Sequence, residues 1–474
     1  MTSPSTASRF LPTRLATAGL LSLWLVGCAS FSGDGGSAGV EKITRDKIGK
    51  DVKWSRTDGE RNTVATRVAE LLAKPLSADD AVQIALLNNR GLQADFAELG
   101  IAEADMVSAS RLPNPGFSYM RTKRGDEIEI ERGLHFNLIR LLTLPLAAKL
   151  ESQRFELAKG AAATAAIRLA SETRKAYFQA VAAEETVRYM RKVRDVADAS
   201  AELARRMAAT GNWSRLQQAR EQGFYADAAL NVARAEQSAV RSREALTRML
   251  GLWGAQTYNL PERLPDLPKA PNDQPDIEQR AMQSRLDVQG ARLGAESLAS
   301  NLGLSRATRF INVLEVGVFR ETSNEAPVRR GYEISLELPL FDWGTARVAK
   351  AEALYMQAVN RTAETAINAR SEVRESYQGY RLSYDIARHY RDEVVPLRKR
   401  IADENLLRYN GMLIGVFDLL SDARSQIGGV NSYIEALRDF WLAESDLQMV
   451  MIGKPGGGNM PRAMAAAEAS GGGH

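Results

Sequence analysis

The chain has 474 residues, of which 45% are hydrophobic and 25% charged, and a formal net charge of +4. The charge falls to +2 once the first 27 residues, with Arg9 and Arg14 and no acid, are set aside, too weak a balance to argue for nucleic acid or an acidic substrate. The length allows one large core or several smaller ones, and after residue 27 no uninterrupted apolar run is long enough for a membrane-spanning helix.

At the start, Arg9 and Arg14 supply a positive region, residues 15–26 an apolar stretch too short to span, and Leu25-Val26-Gly27-Cys28 a small-residue cleavage site. Cys28 is the sole cysteine, so no disulfide can form within the chain. The arrangement resembles a bacterial lipoprotein signal at residues 1–27, which implies a covalent lipid such as palmitate on Cys28. Ala29 after it implies, by the same resemblance, sorting to the outer membrane. The alternatives are a plain secretory signal with an incidental cysteine, or a buried thiol.

Residues 28–75 read as an N-terminal periplasmic segment opened by a flexible tether at 31–39, rich in Gly and Ser. Ser77 then caps an apolar-periodic helix, Gly91 interrupts it, and Pro113 and Pro115 stop its continuation. Strands follow at about 117–124 and 128–138, the second alternating Ile128, Ile130, Leu134 and Phe136 with Glu129, Glu131, Gly133 and His135. After Leu144-Pro145-Leu146 an alanine-rich helix runs to about residue 210, Gly211-Asn212 breaks it, and a further helix reaches about 250. Residues 254–275, with five prolines, form a linker or extended crossing segment.

Then the order starts again in residues 276–452, with a helix, strands at about 309–321 and 332–338, and a long helix to about 409 that Pro396 should kink. A glycine-containing turn and a last helix to about 451 follow. Residues 453–474 are low in complexity and read as disordered. Glu172, Arg174 and Tyr177 match Glu372, Arg374 and Tyr377 at a shift of 200, while Ala85, Leu92 and Gln93 match Ala281, Val288 and Gln289 at a shift of 196. Residues 76–253 and 276–452 are therefore two copies of one unit.

Four strands of this length can cross an outer membrane, but an open four-stranded sheet leaves backbone groups unpaired at its edges in lipid. Several chains must then close one barrel, and three copies give twelve strands. The helix after each second strand, at ~1.5 Å per residue, would extend ~90 Å and is too polar for lipid. Leu338-Pro339-Leu340-Phe341-Asp342-Trp343-Gly344, and Arg408-Tyr409-Asn410-Gly411 followed by Asp418-Leu419-Leu420, resemble motifs of the TolC-like outer-membrane channel family over roughly residues 76–452. The resemblance implies a mainly α fold with a small transmembrane β part: a homotrimer with a twelve-stranded β-barrel, four strands per chain, and a long periplasmic α-helical coiled-coil barrel. It further implies a periplasmic adaptor and an inner-membrane pump as partners, and a lipid-anchored outer-membrane exit duct for drugs, toxic compounds or metal ions. An outer component of type I protein secretion and a non-conducting envelope spacer are the competing readings.

Several positions carry these expectations. Asp418 and Asp422 share a helix face and could ring a pore constriction, although Asp418 could equally cap its helix. Gly211, Tyr409, Gly411 and Gly415 mark the periplasmic tip, with adaptor docking there implied by the family. Glu129, Glu131, Glu315, Glu333 and Glu337 would face the barrel lumen. Pro339, Leu340, Phe341, Asp342 and Gly344 form the strand-to-helix signature, of which the first repeat keeps only Pro145-Leu146. No metal-ligand spacing involves His135, His389 or His474, and no phosphate loop or nucleophile elbow suggests an enzyme or a cofactor other than the lipid on Cys28.

Overall fold

The computed structural model describes residues 30–254, 257–310, 313–337 and 341–454. Cys28, the signal segment, Pro339, Leu340 and the tail beyond residue 454 lie outside them. The described chain is mostly helical. Helices α1 (Ser37–Ile48), α2 (Asp58–Leu72), α3 (Ala78–Asn88) and α4 (Arg90–Ala109) lead to strands β1 (Gly116–Arg124) and β2 (Glu127–Asn137). The hairpin of α5 (Leu138–Ala209) and α6 (Arg215–Leu250) follows, then α7 (Ile277–Ser284), α8 (Leu286–Ala307), β3 (Leu314–Ser323) and β4 (Arg329–Leu336). The chain ends in α9 (Thr345–His389), a π turn (Tyr390–Val394), α10 (Val395–Asn410) and α11 (Val416–Val450). It divides into two compact units, one of residues 1–36, 97–159 and 291–362, the other of residues 37–96, 160–290 and 363–474.

The first unit holds one antiparallel sheet in the order β1-β2-β3-β4. The third and fourth strands sit a few residues from their expected bounds, at 314–323 and 329–336. Residues 309 and 310 form a turn ahead of β3 instead of its start. The helix after β2 also begins earlier than expected. The Asn137 side chain accepts the Arg140 N–H at 2.9 Å and caps α5 directly at the strand end, so Pro145 lies within the helix and not before it. In the second repeat, Asp342 Oδ1 accepts the Gly344 N–H at 2.8 Å, bending the chain into α9. Gly344 has φ +70°, and a Cβ there would sit 2.6 Å from the Arg309 carbonyl oxygen.

The expected tether is instead docked. Ser32 donates to the buried Glu103 carboxylate from its N–H at 2.7 Å and its hydroxyl at 2.5 Å, and a Cβ on Gly36 would meet the Phe155 ring at 2.5 Å. The glycines of this segment serve close approach as well as reach.

The second unit is helical around a core that includes Ala81, Ile84 and Ala85 of α3 and a cluster of aromatics. Phe440 contacts the rings of Tyr380, Tyr384 and Trp441 at centroid distances of 5.1–5.8 Å, and Trp441 stacks on Phe178 at 5.2 Å. Such pairs add roughly 0.5–1.5 kcal/mol each beyond their burial. The proline-rich segment straps this core in extended form, burying Tyr258, Leu264 and Leu267 and accepting the Tyr384 hydroxyl at the Lys269 carbonyl, 2.9 Å.

The two repeats solve the same problem with different chemistry. The break between α3 and α4 falls at Asn89, not at Gly91, and the break between α7 and α8 at Arg285, both with extended ψ. Asn88 and Asn89 amides donate to the carbonyls of Leu250, Gly251 and Met249 at the end of α6. Ser284 and Arg285 do the same for Met451 and Val450 at the end of α11. These contacts satisfy last-turn carbonyls that no helix can bond internally. Arg285 is 1% exposed and pairs with Asp287 at 2.6 Å and Glu372 at 2.7 Å. Likewise Arg174 reaches Asp79 on α3 at 2.7 Å, and its counterpart Arg374 reaches Glu278 on α7 at 2.9 Å. Hydrogen bonds from Arg374 and then Arg370 hold the Glu278 carboxyl down at about 2. Pro396 lacks the N–H that would bond the Asp392 carbonyl, and the π turn just ahead of it takes up the defect.

Gly344→Ala should cost at least ~2 kcal/mol, because it combines a left-handed backbone with a clash against the Arg309 backbone. Gly379→Ala, in a helix with open space around it, should be neutral or stabilising. Thermal unfolding of the purified variants checks this, and equal melting points would remove the close approach from the account.

Candidate functional site

The sheet has two chemically distinct faces, fixed by its register. Glu129 pairs with Ser323, Glu131 with Glu321, His135 with Gly317, Asn137 with Glu315 and Gly317 with Glu333. Paired residues share a face in an antiparallel sheet, so Glu129, Glu131, Glu315 and Glu333 lie on one face. Glu337, whose N–H donates to the Val313 carbonyl at 3.2 Å, continues the alternation onto it. Glu127 and Glu321 add two more carboxylates there, against Arg124 and Arg329. Three glycines on this face, Gly133, Gly317 and Gly331, make room for side chains lying flat. His135 covers Gly133 and Gly317, Phe319 covers Gly331, and Gly116 pairs with His135. The His135 ring also bonds the Ser118 hydroxyl at 2.8 Å.

The opposite face carries Phe117, Leu134, Val318 and Tyr332 in one row and Phe136, Val316 and Ile334 in the next. Phe117, Leu134, Phe136, Val318, Tyr332 and Ile334 are all exposed, Tyr332 to 76%. Phe341 and Trp343 beyond β4 are exposed as well, with Trp343 edge-on to Phe310 at 6.3 Å. Exposed apolar surface this continuous marks an interaction with lipid or protein, not with water. Strands of 9, 11, 10 and 8 residues approach the roughly nine to eleven that a tilted crossing needs. Among the described residues no helix is long and apolar enough to cross a membrane.

The second group of residues surrounds the two helical turns. At the α5–α6 turn the Asn212 N–H donates to the Met207 carbonyl and the Gly211 N–H to that of Ala208. At the α10–α11 turn Leu413 and Met412 make the same two bonds to Arg408 and Tyr409. The structural counterpart of Gly211 (φ +79°) is therefore Met412 (φ +60°), not Gly411. Gly411 and Gly415 have φ of −80° and −82°, which any residue adopts, so of the tip glycines only Gly211 is required by a turn's backbone. A side chain in the left-handed region costs roughly 1–2 kcal/mol. Met412 accepts that strain while exposing 93% of its surface, beside Leu413 at 76% and Leu407 at 66%. Tyr409 is at the edge of this exposed apolar group.

Asp418 reaches back to accept the Gly415 N–H at 3.3 Å, the capping role. Asp422 accepts from the Asn405 amide on α10 and is half-buried. A neighbouring contact escaped the sequence reading. Glu221 on α6, 1% exposed, pairs with Arg424 on α11 at 2.7 Å and accepts the Ser200 hydroxyl of α5 at 2.7 Å, while Arg424 stacks over Phe224. The signal was available, since Glu221 falls on the stripe of Ala228, Val232 and Ala235 that α6 buries. His389 pairs with Glu393 at 3.3 Å on an exposed surface, and His474 lies outside the described residues. No group of three or more His, Cys, Asp or Glu among the described residues could hold a metal ion.

No family model matches the chain. It is 24% identical over 277 residues to the cobalt-zinc-cadmium resistance protein CzcC of Cupriavidus metallidurans, over 57% of this chain. The chain spans 64% of that relative, just under two thirds of its length. Among solved structures it is similar to the outer-membrane channel OprN, with a TM-score of 0.68 and 17% identity over 87% of this chain and 95% of that one. The open state of the Neisseria gonorrhoeae MtrE outer membrane channel gives 0.66 and 18%, over 79% and 89%. A mainly helical chain with a two-faced four-stranded sheet thus has the fold of the TolC-like outer-membrane channels.

Proposed function

We propose that the protein is the outer-membrane exit duct of a tripartite export system, a lipid-anchored homotrimer that passes small solutes out of the periplasm. The observation that carries this reading is the sheet: apolar and exposed on one face, acidic on the other, with nothing among the described residues bonded to the outer edges of β1 and β4. Edges of that kind are untenable in lipid. Three copies joined edge to edge remove them and enclose the polar face as a twelve-stranded lumen. The helices then stand in the periplasm. The exposed apolar tip of Leu407, Tyr409, Met412 and Leu413 offers a surface to a periplasmic adaptor, and an inner-membrane pump supplies the driving energy.

A duct of this kind needs a field and no chemistry, and we read the protein as a channel and not an enzyme. Carboxylates of Glu129, Glu131, Glu315, Glu333 and Glu337 raise the local cation concentration in the lumen. Asp418 and Asp422 would add a second acidic ring at the tip. The acidic lumen and the likeness to a cobalt-zinc-cadmium resistance protein favour divalent metal cations over drugs or proteins as cargo.

In planar bilayers the purified trimer should conduct with preference for cations, and polyvalent cations should block it from the tip side. Asp418→Ala with Asp422→Ala should weaken that block by about an order of magnitude; unchanged block would take both residues out of the constriction. A protein that never conducts would favour the envelope spacer instead. Separately, metabolic labelling with palmitate should mark the wild-type chain and not Cys28→Ser, with label on the variant counting against the anchor.

A further inference from the structure

The apolar face carries a row of positive charge that the duct does not use. Arg132 on β2 pairs with Arg320 on β3, and Arg320 with Arg330 on β4, while Tyr119 on β1 lies opposite Arg132. Three guanidiniums therefore stand side by side across three strands. All three are exposed, and none has a carboxylate within 4 Å among the described residues. The row adjoins Phe117, Leu134, Val318 and Tyr332, on the side toward the loops at residues 125–126 and 324–328. A shallow groove is lined by Phe117, Leu134 and Val318 together with the three arginines.

Like charges directly opposite one another in a sheet repel. The same sheet pairs Arg329 with Glu321 at 3.1 Å on its polar face, so the chain has carboxylates and does not spend them here. Arginine facing lipid is costly near mid-bilayer and tolerated near the interface, which fits a row at the loop end of the apolar rows. Because the row lies on a face of the sheet, and not along the backbone edge of β4, edge-to-edge joining of copies leaves it open.

We propose that Arg132, Arg320 and Arg330 bind the phosphate groups of a phosphorylated glycolipid of the outer leaflet, whose acyl chains lie over the Phe117, Leu134 and Val318 surface. Guanidinium forks match phosphate oxygens two at a time and would neutralise the repulsion within the row. The apolar floor of the groove selects an amphiphile over free phosphate. The proposal rests on the reading that this face meets lipid.

The test uses the full-length protein in detergent, with bisphosphorylated lipid A as probe, followed by thermal shift and by native mass spectrometry. Wild type should retain the lipid and melt higher with it. Arg132→Gln/Arg320→Gln/Arg330→Gln should bind at least about tenfold more weakly, with the triple lysine variant in between. Equal binding by the glutamine variant overturns the proposal, as does equal binding of lipid A stripped of its phosphates. A shift produced by inorganic phosphate alone overturns it in favour of a free-anion site. Bilayer conductance, measured on the same preparations, separates the two readings. A conducting trimer indifferent to lipid phosphates sinks this inference alone, whereas a monomer that never conducts sinks the duct and this inference with it.

Discussion

The outer edges of β1 and β4 are the constraint on which the rest depends. Each presents a row of backbone N–H and C=O groups, and the sheet between them is too apolar on one face to sit in water. Within a bilayer the cost of each unpaired group is several kcal/mol. A single chain with four strands has no way to bury both edges against each other, so in lipid its sheet needs further strands at both edges. The fold shared with outer-membrane channels is the solution to that demand, and the proposed trimer follows from it.

The helical unit answers a different demand, because long helices must hold their register along their whole length. It does so by repetition. Each short helix pair is stitched to the final turn of a long hairpin, by asparagine amides in one repeat and by a buried arginine in the other. An amide can satisfy a carbonyl without a counter-ion. Arg285 cannot be buried alone, and Asp287 and Glu372 accompany it. The two halves thus do the same stitching with different residue sets, so sparse identity between them goes with repeated geometry.

Much of this was legible in the sequence, and the reasons for the failures are local. Alternation in residues 128–136 and 332–336 announced the strands, because a half-buried strand must alternate. Register could not be read, since it depends on partners some 190 residues away, and with it the arginine row stayed hidden. The start of α5 was missed because Pro145 looked like a boundary, whereas the boundary is made by the Asn137 side chain. Gly411 drew attention as a turn residue, but the left-handed position went to Met412, a choice that composition does not announce. The tether was misread because glycine was taken as a sign of slackness. At Gly36 it is a sign of contact.

The separation of charge between the two faces also explains how the register is kept. In a strand a slip of one residue exchanges every side chain between faces. Here that slip would move glutamates onto the apolar face and phenylalanines onto the acidic one, so both faces resist it. The glycines favour this register sterically, since the Phe319 ring lies where a Cβ on Gly331 would sit and the His135 ring crowds the Cβ positions of Gly133 and Gly317. The seats span β2–β3 and β3–β4, and the Ser118–His135 bond ties β1 to β2. The residues that make the acidic face smooth are therefore the same ones that hold the arginines in a row on the other side.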